Sequence, residues 1–90
     1  MPENCEATFT LTGDLHARPA GALSVAAAKF GATVRLSVGA SEADAKSVLA
    51  VMQLGASSGQ QLTVRASGPD AQAAVAALVA ILAEATSAGE

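Results

Sequence analysis

The spacing of apolar residues along the chain predicts alternating strands and helices. Three stretches alternate apolar with polar side chains, which is typical of strands with one buried face. These stretches span residues 7–12, 33–38 and 62–66. Two others, which begin at Pro19 and Pro69, repeat apolar residues every three or four positions, as helices with one buried face do. Gly31 is expected to end the first of these helices.

Two shorter elements are predicted in the middle of the chain. A turn over Gly39–Ser41 leads into a weakly patterned segment, 42–46, that is expected to form a short edge strand. Ser47 is suited to cap a short helix that Gly55 ends. The resulting order, β-α-β-β-α-β-α, predicts an α+β sandwich with one antiparallel or mixed sheet and its helices on a single face. Ninety residues are expected to make one domain, 1–90.

Composition and charge narrow the classes of function. A net charge of −3 and only two aromatic residues argue against nucleic acid as a partner. Cys5, the only cysteine, excludes an internal disulfide and fits a reducing cytoplasm. The first residues lack a basic region followed by an apolar run, and the longest apolar run, 73–83, is too short to span a bilayer. A cytoplasmic protein that does not insert into membranes is therefore expected.

The candidate chemistry is concentrated in residues 13–20, Gly-Asp-Leu-His-Ala-Arg-Pro-Ala. His16 is the only histidine in the chain, and a neutral imidazole is a good nucleophile near neutral pH. The helix start adds unpaired N–H groups, among them that of Ala17, which favour an anion. Arg18 adds a permanent cation. A lone histidine is more often a solvated loop residue, but with these neighbours it predicts a site that holds a phosphoryl group.

Two stretches of the chain resemble one known family. Leu15-His16-Ala17-Arg18-Pro19-Ala20 is similar to the active-centre motif of HPr, the histidine-containing phosphocarrier of the bacterial phosphoenolpyruvate-dependent sugar phosphotransferase system. Residues 46–55 resemble the regulatory-serine helix of that family, and Val64-Arg65-Ala66-Ser67-Gly68 is a weaker match. The likeness covers nearly the whole chain. It implies an open-faced β-sandwich, in which a four-stranded antiparallel sheet has three helices on one face.

The resemblance also implies a role for each residue of the main motif. His16 would accept a phosphoryl group on its δ1 nitrogen from phosphorylated enzyme I, and would pass it to enzyme IIA domains of sugar transporters. Arg18 and the backbone N–H of Ala17 would stabilise the group. Such a protein is a carrier and not an enzyme, needs no cofactor or metal, and is expected to be a monomer. With one histidine and one cysteine, the sequence offers too few ligands for a dedicated zinc site.

Two other functions fit the predicted order of elements. One is an HPr-like regulatory protein of the nitrogen-related phosphotransferase branch, in which the phosphorylation state controls other proteins. The other is a small α+β RNA-binding module, against which the net charge of −3 and the shortage of aromatic residues argue.

Ser47 and a group of neighbouring residues have both a structural and a functional interpretation. Ser47 is either a plain helix N-cap, which contributes about 1 kcal/mol, or, as in HPr of some Gram-positive bacteria, the target of an HPr kinase. The resemblance implies a docking patch for partners beside His16, and its candidate residues are Gly21, Leu23, Leu49, Met52 and Leu54. Met52 is the best candidate for exposure, because flexible thioethers suit surfaces that meet several partners. Leu23 and Leu54 are expected in the core.

Asp14 is the main departure from the family pattern. Family members usually have glycine two residues before the active histidine, where this chain has an aspartate. An aspartate there would repel an arriving phosphate, or would instead orient His16 or Arg18 or cap the helix.

Overall fold

The elements of the fold follow the predicted order. The computed structural model describes residues 3–15 and 17–87, so His16 lies outside the described residues. The elements are β1 (Glu3–Thr10), α1 (Ala17–Ala27), β2 (Thr33–Val38), β3 (Ser41–Asp44), α2 (Val48–Gln53), β4 (Gln61–Gly68) and α3 (Ala71–Ser87). The order β-α-β-β-α-β-α is therefore confirmed.

All four strands form one antiparallel sheet in the order β1-β4-β2-β3. The inner strand β4 pairs on both sides: Leu62 lies opposite Phe9 of the edge strand β1, and Ala66 lies opposite Val34 of β2. β2 and β3 form a hairpin, in which Gly39 has a φ of 59° that suits a residue without a Cβ. The short strand β3 lies at the sheet edge, as the sequence predicts.

One face of the sheet carries the core and the other is open. On β4, the residues of one face are buried (Leu62, Val64 and Ala66), and those of the other face include the exposed Arg65 and Ser67. The three helices pack over the apolar face, where α3 contacts β1, β4 and β2, and α1 contacts both α2 and α3. The open face carries exposed ion pairs, such as Arg35 Nε to Glu42 Oε1 at 3.0 Å. The structure is the open-faced β-sandwich that the resemblance implies.

The end of α1 differs from the prediction. The helix ends at Ala27, and Gly31 does not have the positive φ of a helix-ending glycine. Bonds from the Lys29 and Phe30 amides to carbonyls three residues back close the chain in a turn instead. The Gly31 amide donates to Asp70 Oδ2 at 2.9 Å, so a side chain that precedes α3 satisfies the backbone here.

None of the helices within residues 3–15 and 17–87 is long and apolar enough to cross a membrane.

Candidate functional site

The candidate site lies where a short loop, residues 11–15, leads towards α1. Leu11 and Leu15, at the two ends of this loop, are buried in the core. α1 begins at Ala17, two residues before the predicted start, and Pro19 is buried within its first turn. The first four N–H groups of a helix have no partner inside the helix, so a proline is tolerated there. The backbone amides of Ala17 and Arg18 are therefore among the donors that this helix start presents.

Arg18 supplies the positive charge of the helix start. Its side chain is exposed on the first turn of α1. Within the described ranges its guanidinium has no ion-pair partner, because the pairs that form lie between strands on the open face. Arg18 is also the only charged residue of α1 and α2. Its charge is therefore available to an anion at the start of α1.

A second loop, residues 55–60, supports the loop that precedes α1. The Leu15 amide donates to the Ala56 carbonyl at 2.9 Å. Leu11 is bonded twice, since its amide donates to the Gln60 carbonyl at 2.9 Å and its carbonyl accepts from the Gly59 amide at 2.8 Å. Gly59 has a φ of 92°, which an L side chain rarely adopts. These bonds hold both ends of residues 11–15.

Asp14 takes part in the same pair of loops. Its Oδ1 accepts a hydrogen bond from the backbone amide of Ser58 at 2.9 Å. Asp14 does not form an ion pair with Arg18. Orientation of Arg18 by a direct ion pair, one of the roles open from the sequence, is therefore absent. Any contact with His16 lies outside the described residues.

Ser47 is the N-cap of α2, as one of its two interpretations predicts. Its Oγ accepts from the Ala50 amide at 3.2 Å, and its backbone is extended, with φ −107° and ψ 107°. The turn before it is held by Asp44, whose Oδ1 accepts from the Lys46 amide at 2.9 Å. Ser47 is half-buried. The structure confirms the structural role and does not bear on phosphorylation.

Exposed apolar side chains lie on α1 and α2. Leu49 is 66% exposed and Met52 is 42% exposed, as a docking role requires. Leu23 is buried, which confirms it as core, and Leu54 is half-buried and packs against the core. Gly21 is half-buried, and a Cβ built on it would meet nothing within 4 Å.

Two further valines, which the sequence reasoning missed, are exposed on the same two helices. Val25 on α1 is 63% exposed and Val48 on α2 is 40% exposed. The signal for Val25 was present, because it follows Leu23 by two positions and so falls off the buried face of the helix. Helical spacing places Arg18, Gly21 and Val25 on one face of α1. We call Arg18, Gly21, Val25, Val48, Leu49 and Met52 the α1–α2 surface.

No group of three or more histidine, cysteine or acidic side chains in the described part of the chain is arranged to hold a metal ion.

Comparisons with known proteins agree on one family. The family model of the PTS HPr component phosphorylation site matches residues 4–84. The chain is 40% identical to phosphocarrier protein HPr of Cupriavidus necator over 76 residues, which are 84% of this chain and 85% of that protein. A crystal structure of phosphocarrier protein HPr from Bacillus anthracis superposes with a TM-score of 0.77 at 28% identity, over 90% of this chain and 96% of that one.

A larger relative contains the same unit. The chain is 38% identical over 82 residues to the multiphosphoryl transfer protein of Xanthomonas campestris pv. campestris. The match covers 91% of this chain but only 10% of that protein. The chain therefore spans about a tenth of the length of this relative.

The open-faced sandwich and the family matches over most of the chain identify a small phosphocarrier protein. The chain belongs to the HPr family of phosphocarrier proteins of the phosphotransferase system. The regulatory and RNA-binding alternatives are not favoured by these matches.

Proposed function

We propose that this chain accepts a phosphoryl group on His16 from phosphorylated enzyme I and passes it to an enzyme IIA domain of a sugar transporter. The observation that carries this proposal is the exposed guanidinium of Arg18, two residues after His16, with no ion-pair partner within the described ranges. Arginine binds phosphate oxygens through several charge-assisted N–H donors. An unneutralised arginine so close in sequence to a candidate nucleophile is suited to phosphoryl transfer.

The reaction is a displacement at phosphorus. The lone pair of the neutral imidazole, on Nδ1 by resemblance to the family, forms a new N–P bond while the bond from phosphorus to the donor atom of enzyme I breaks. The electron pair of the broken bond stays with the donor. Transfer to enzyme IIA runs the same exchange with the acceptor as nucleophile. Since such transfers depend mainly on positioning and charge stabilisation, Arg18 and the amides at the start of α1 can supply most of what is required.

The α1–α2 surface is proposed as the docking site for both partners. Gly21 leaves open space beside α1, and Leu49 and Met52 offer exposed apolar area on α2, the helix that α1 contacts. A single surface that contains Arg18 would present the phosphoryl group to donor and acceptor in turn.

Several further properties belong to the same proposal. The chain acts as a carrier that is modified and regenerated, and not as an enzyme, and it uses no cofactor of its own. We expect it to act as a monomer in the cytoplasm, and its single cysteine, which leaves no internal disulfide, supports a reducing compartment. Phosphorylation of Ser47 by an HPr kinase stays a prediction.

Intact-protein mass spectrometry at mildly alkaline pH tests the proposal. With enzyme I and phosphoenolpyruvate, the protein should gain one phosphate that is lost in acid, and His16→Ala should gain none. Arg18→Ala should be labelled more slowly, by on the order of 10- to 100-fold, because it loses charge stabilisation of the phosphoryl group. Arg18→Lys, which keeps the charge without the fork of donors, should recover part of the rate. Equal labelling of the wild type and His16→Ala would refute the assignment.

A further inference from the structure

The hydrogen bond between the Ser58 amide and Asp14 joins the loop before α1 to the loop before β4. The donor and the acceptor are 44 residues apart in sequence and lie 2.9 Å apart. Asp14 places a carboxylate two residues before His16 in the sequence. A bond at this point therefore acts on the segment that leads directly into the phosphoryl-transfer site.

The loop that supplies the Ser58 amide is itself held in place. The Ser57 amide donates to Gln60 Oε1 at 2.8 Å, and the Gln60 amide donates back to the Ser57 carbonyl at 3.1 Å. Gly59 donates to Leu11 at 2.8 Å on the opposite side. The Ser58 N–H is thus fixed between bonded neighbours, and the position of the Asp14 carboxylate follows from it.

The bond also affects the charge at the start of α1. A carboxylate four residues before Arg18 is near enough in sequence to pair with its guanidinium, and a negative charge is favoured at a helix start. A carboxylate of Asp14 that paired with Arg18, or that lay at the start of α1, would occupy the place of the phosphoryl group. In the structure Asp14 Oδ1 accepts from Ser58, and Asp14 and Arg18 form no ion pair.

We infer that Asp14 is a positioning residue for phosphoryl transfer. Its bond to the Ser58 amide holds the loop before α1 in the geometry for transfer and keeps its carboxylate from neutralising Arg18. This inference rests on the proposed function. The carboxylate that departs from the family pattern therefore supports the site through the neighbouring loop.

Two substitutions at Asp14 separate the bond from the charge. Asp14→Asn keeps an Oδ1 that accepts from Ser58 but removes the charge, so phosphorylation by enzyme I should proceed at about the wild-type rate. Asp14→Ala removes the acceptor, so kcat/KM for phosphorylation should fall by on the order of tenfold, because misplacement of a reacting group slows transfer. Ser58→Ala is the matched control, since it keeps the backbone donor and should match the wild type.

The outcomes distinguish this inference from the proposed function. An unlabelled wild-type protein would refute both. If the wild type is labelled, two results would refute the role of the bond and leave the proposed function standing. One is labelling of Asp14→Ala at the wild-type rate, and the other is labelling of Asp14→Asn as slow as that of Asp14→Ala. Amide hydrogen exchange of the wild type gives a check that needs no variant to fold. Slow exchange of the Ser58 amide is expected, and exchange at the rate of an unprotected amide would overturn the inference.

Discussion

Asp70 joins two distant parts of the backbone through one carboxylate. Its two oxygens accept from the amides of Gly31 and Ala32, at 2.9 Å and 2.8 Å. These bonds stabilise the charged form of the group, and the bond from Gly31 contributes most, so the pKa of the Asp70 carboxyl lies below its ordinary value although partial desolvation opposes this. Asp70 therefore ties the turn after α1 to the start of α3.

The lowered pKa of Asp70 predicts a loss of stability in acid. A carboxyl with a depressed pKa in the folded state stabilises the protein above its unfolded pKa, and this contribution is lost as the pH falls through the folded pKa. Urea unfolding from neutral pH down to about pH 2 should therefore show a fall in the free energy of unfolding, and the fall should be smaller in Asp70→Asn. Parallel pH profiles for the two proteins would contradict this role.

At the scale of elements, the end of β4 lies against the segment that enters β2. Gly68 has a φ of 144°, and a Cβ at this position would lie 2.8 Å from the Cα of Ala32. Ala32 is held by its own bond to Asp70, so this neighbour is backbone that cannot move aside easily. The close approach requires glycine at position 68.

Gly68→Ala should therefore destabilise the protein. The added methyl group forces the backbone apart and requires a strained conformation, so the free energy of unfolding should fall by about 1–3 kcal/mol. Gly21→Ala is the matched control, because a Cβ there meets nothing within 4 Å and alanine favours a helix by up to about 1 kcal/mol. Chemical denaturation of both variants measures the difference. Equal stability of Gly68→Ala and the wild type would show that Ala32 gives way.

At the scale of the whole molecule, the open face of the sheet and the α1–α2 surface differ in their balance of charged and apolar side chains. The open face of the sheet carries exposed ion pairs, for example Arg65 Nε to Glu6 Oε1 at 3.1 Å. The α1–α2 surface carries exposed apolar side chains and Arg18 as its single charge. Binding at this surface is expected to depend more on apolar contact than on electrostatic attraction.

Met52→Glu should accordingly weaken the complex with enzyme I. A charge in place of a thioether that binding would bury should raise Kd by on the order of tenfold, equivalent to about 1.4 kcal/mol. Ser67→Glu adds the same charge to the opposite face and should leave Kd unchanged. Titration calorimetry at two salt concentrations should also show a weak salt dependence for the wild type. Unchanged affinity of Met52→Glu for enzyme I would contradict docking on α2.

The sequence by itself determined the local parts of this protein. Alternation over 62–66 predicted the buried face of β4, and Ser47 was identified as a cap from its own neighbours, because strand period and capping depend on residues a few positions apart. The motif around Arg18 likewise pointed to the site and, through the resemblance, to the family.

Only the tertiary structure decided which distant groups meet. Apolar periodicity left the sheet antiparallel or mixed, and the order β1-β4-β2-β3 depends on pairings between strands far apart in the chain. The last helix was expected to begin at Pro69, yet the carboxylate of the next residue, Asp70, accepts from amides 38 and 39 residues away. The sequence left several roles open for Asp14, and the structure shows that its carboxylate accepts a hydrogen bond from the Ser58 amide. A polar side chain can satisfy its hydrogen bonds with any backbone group that folding brings near, so spacing alone does not identify the partner.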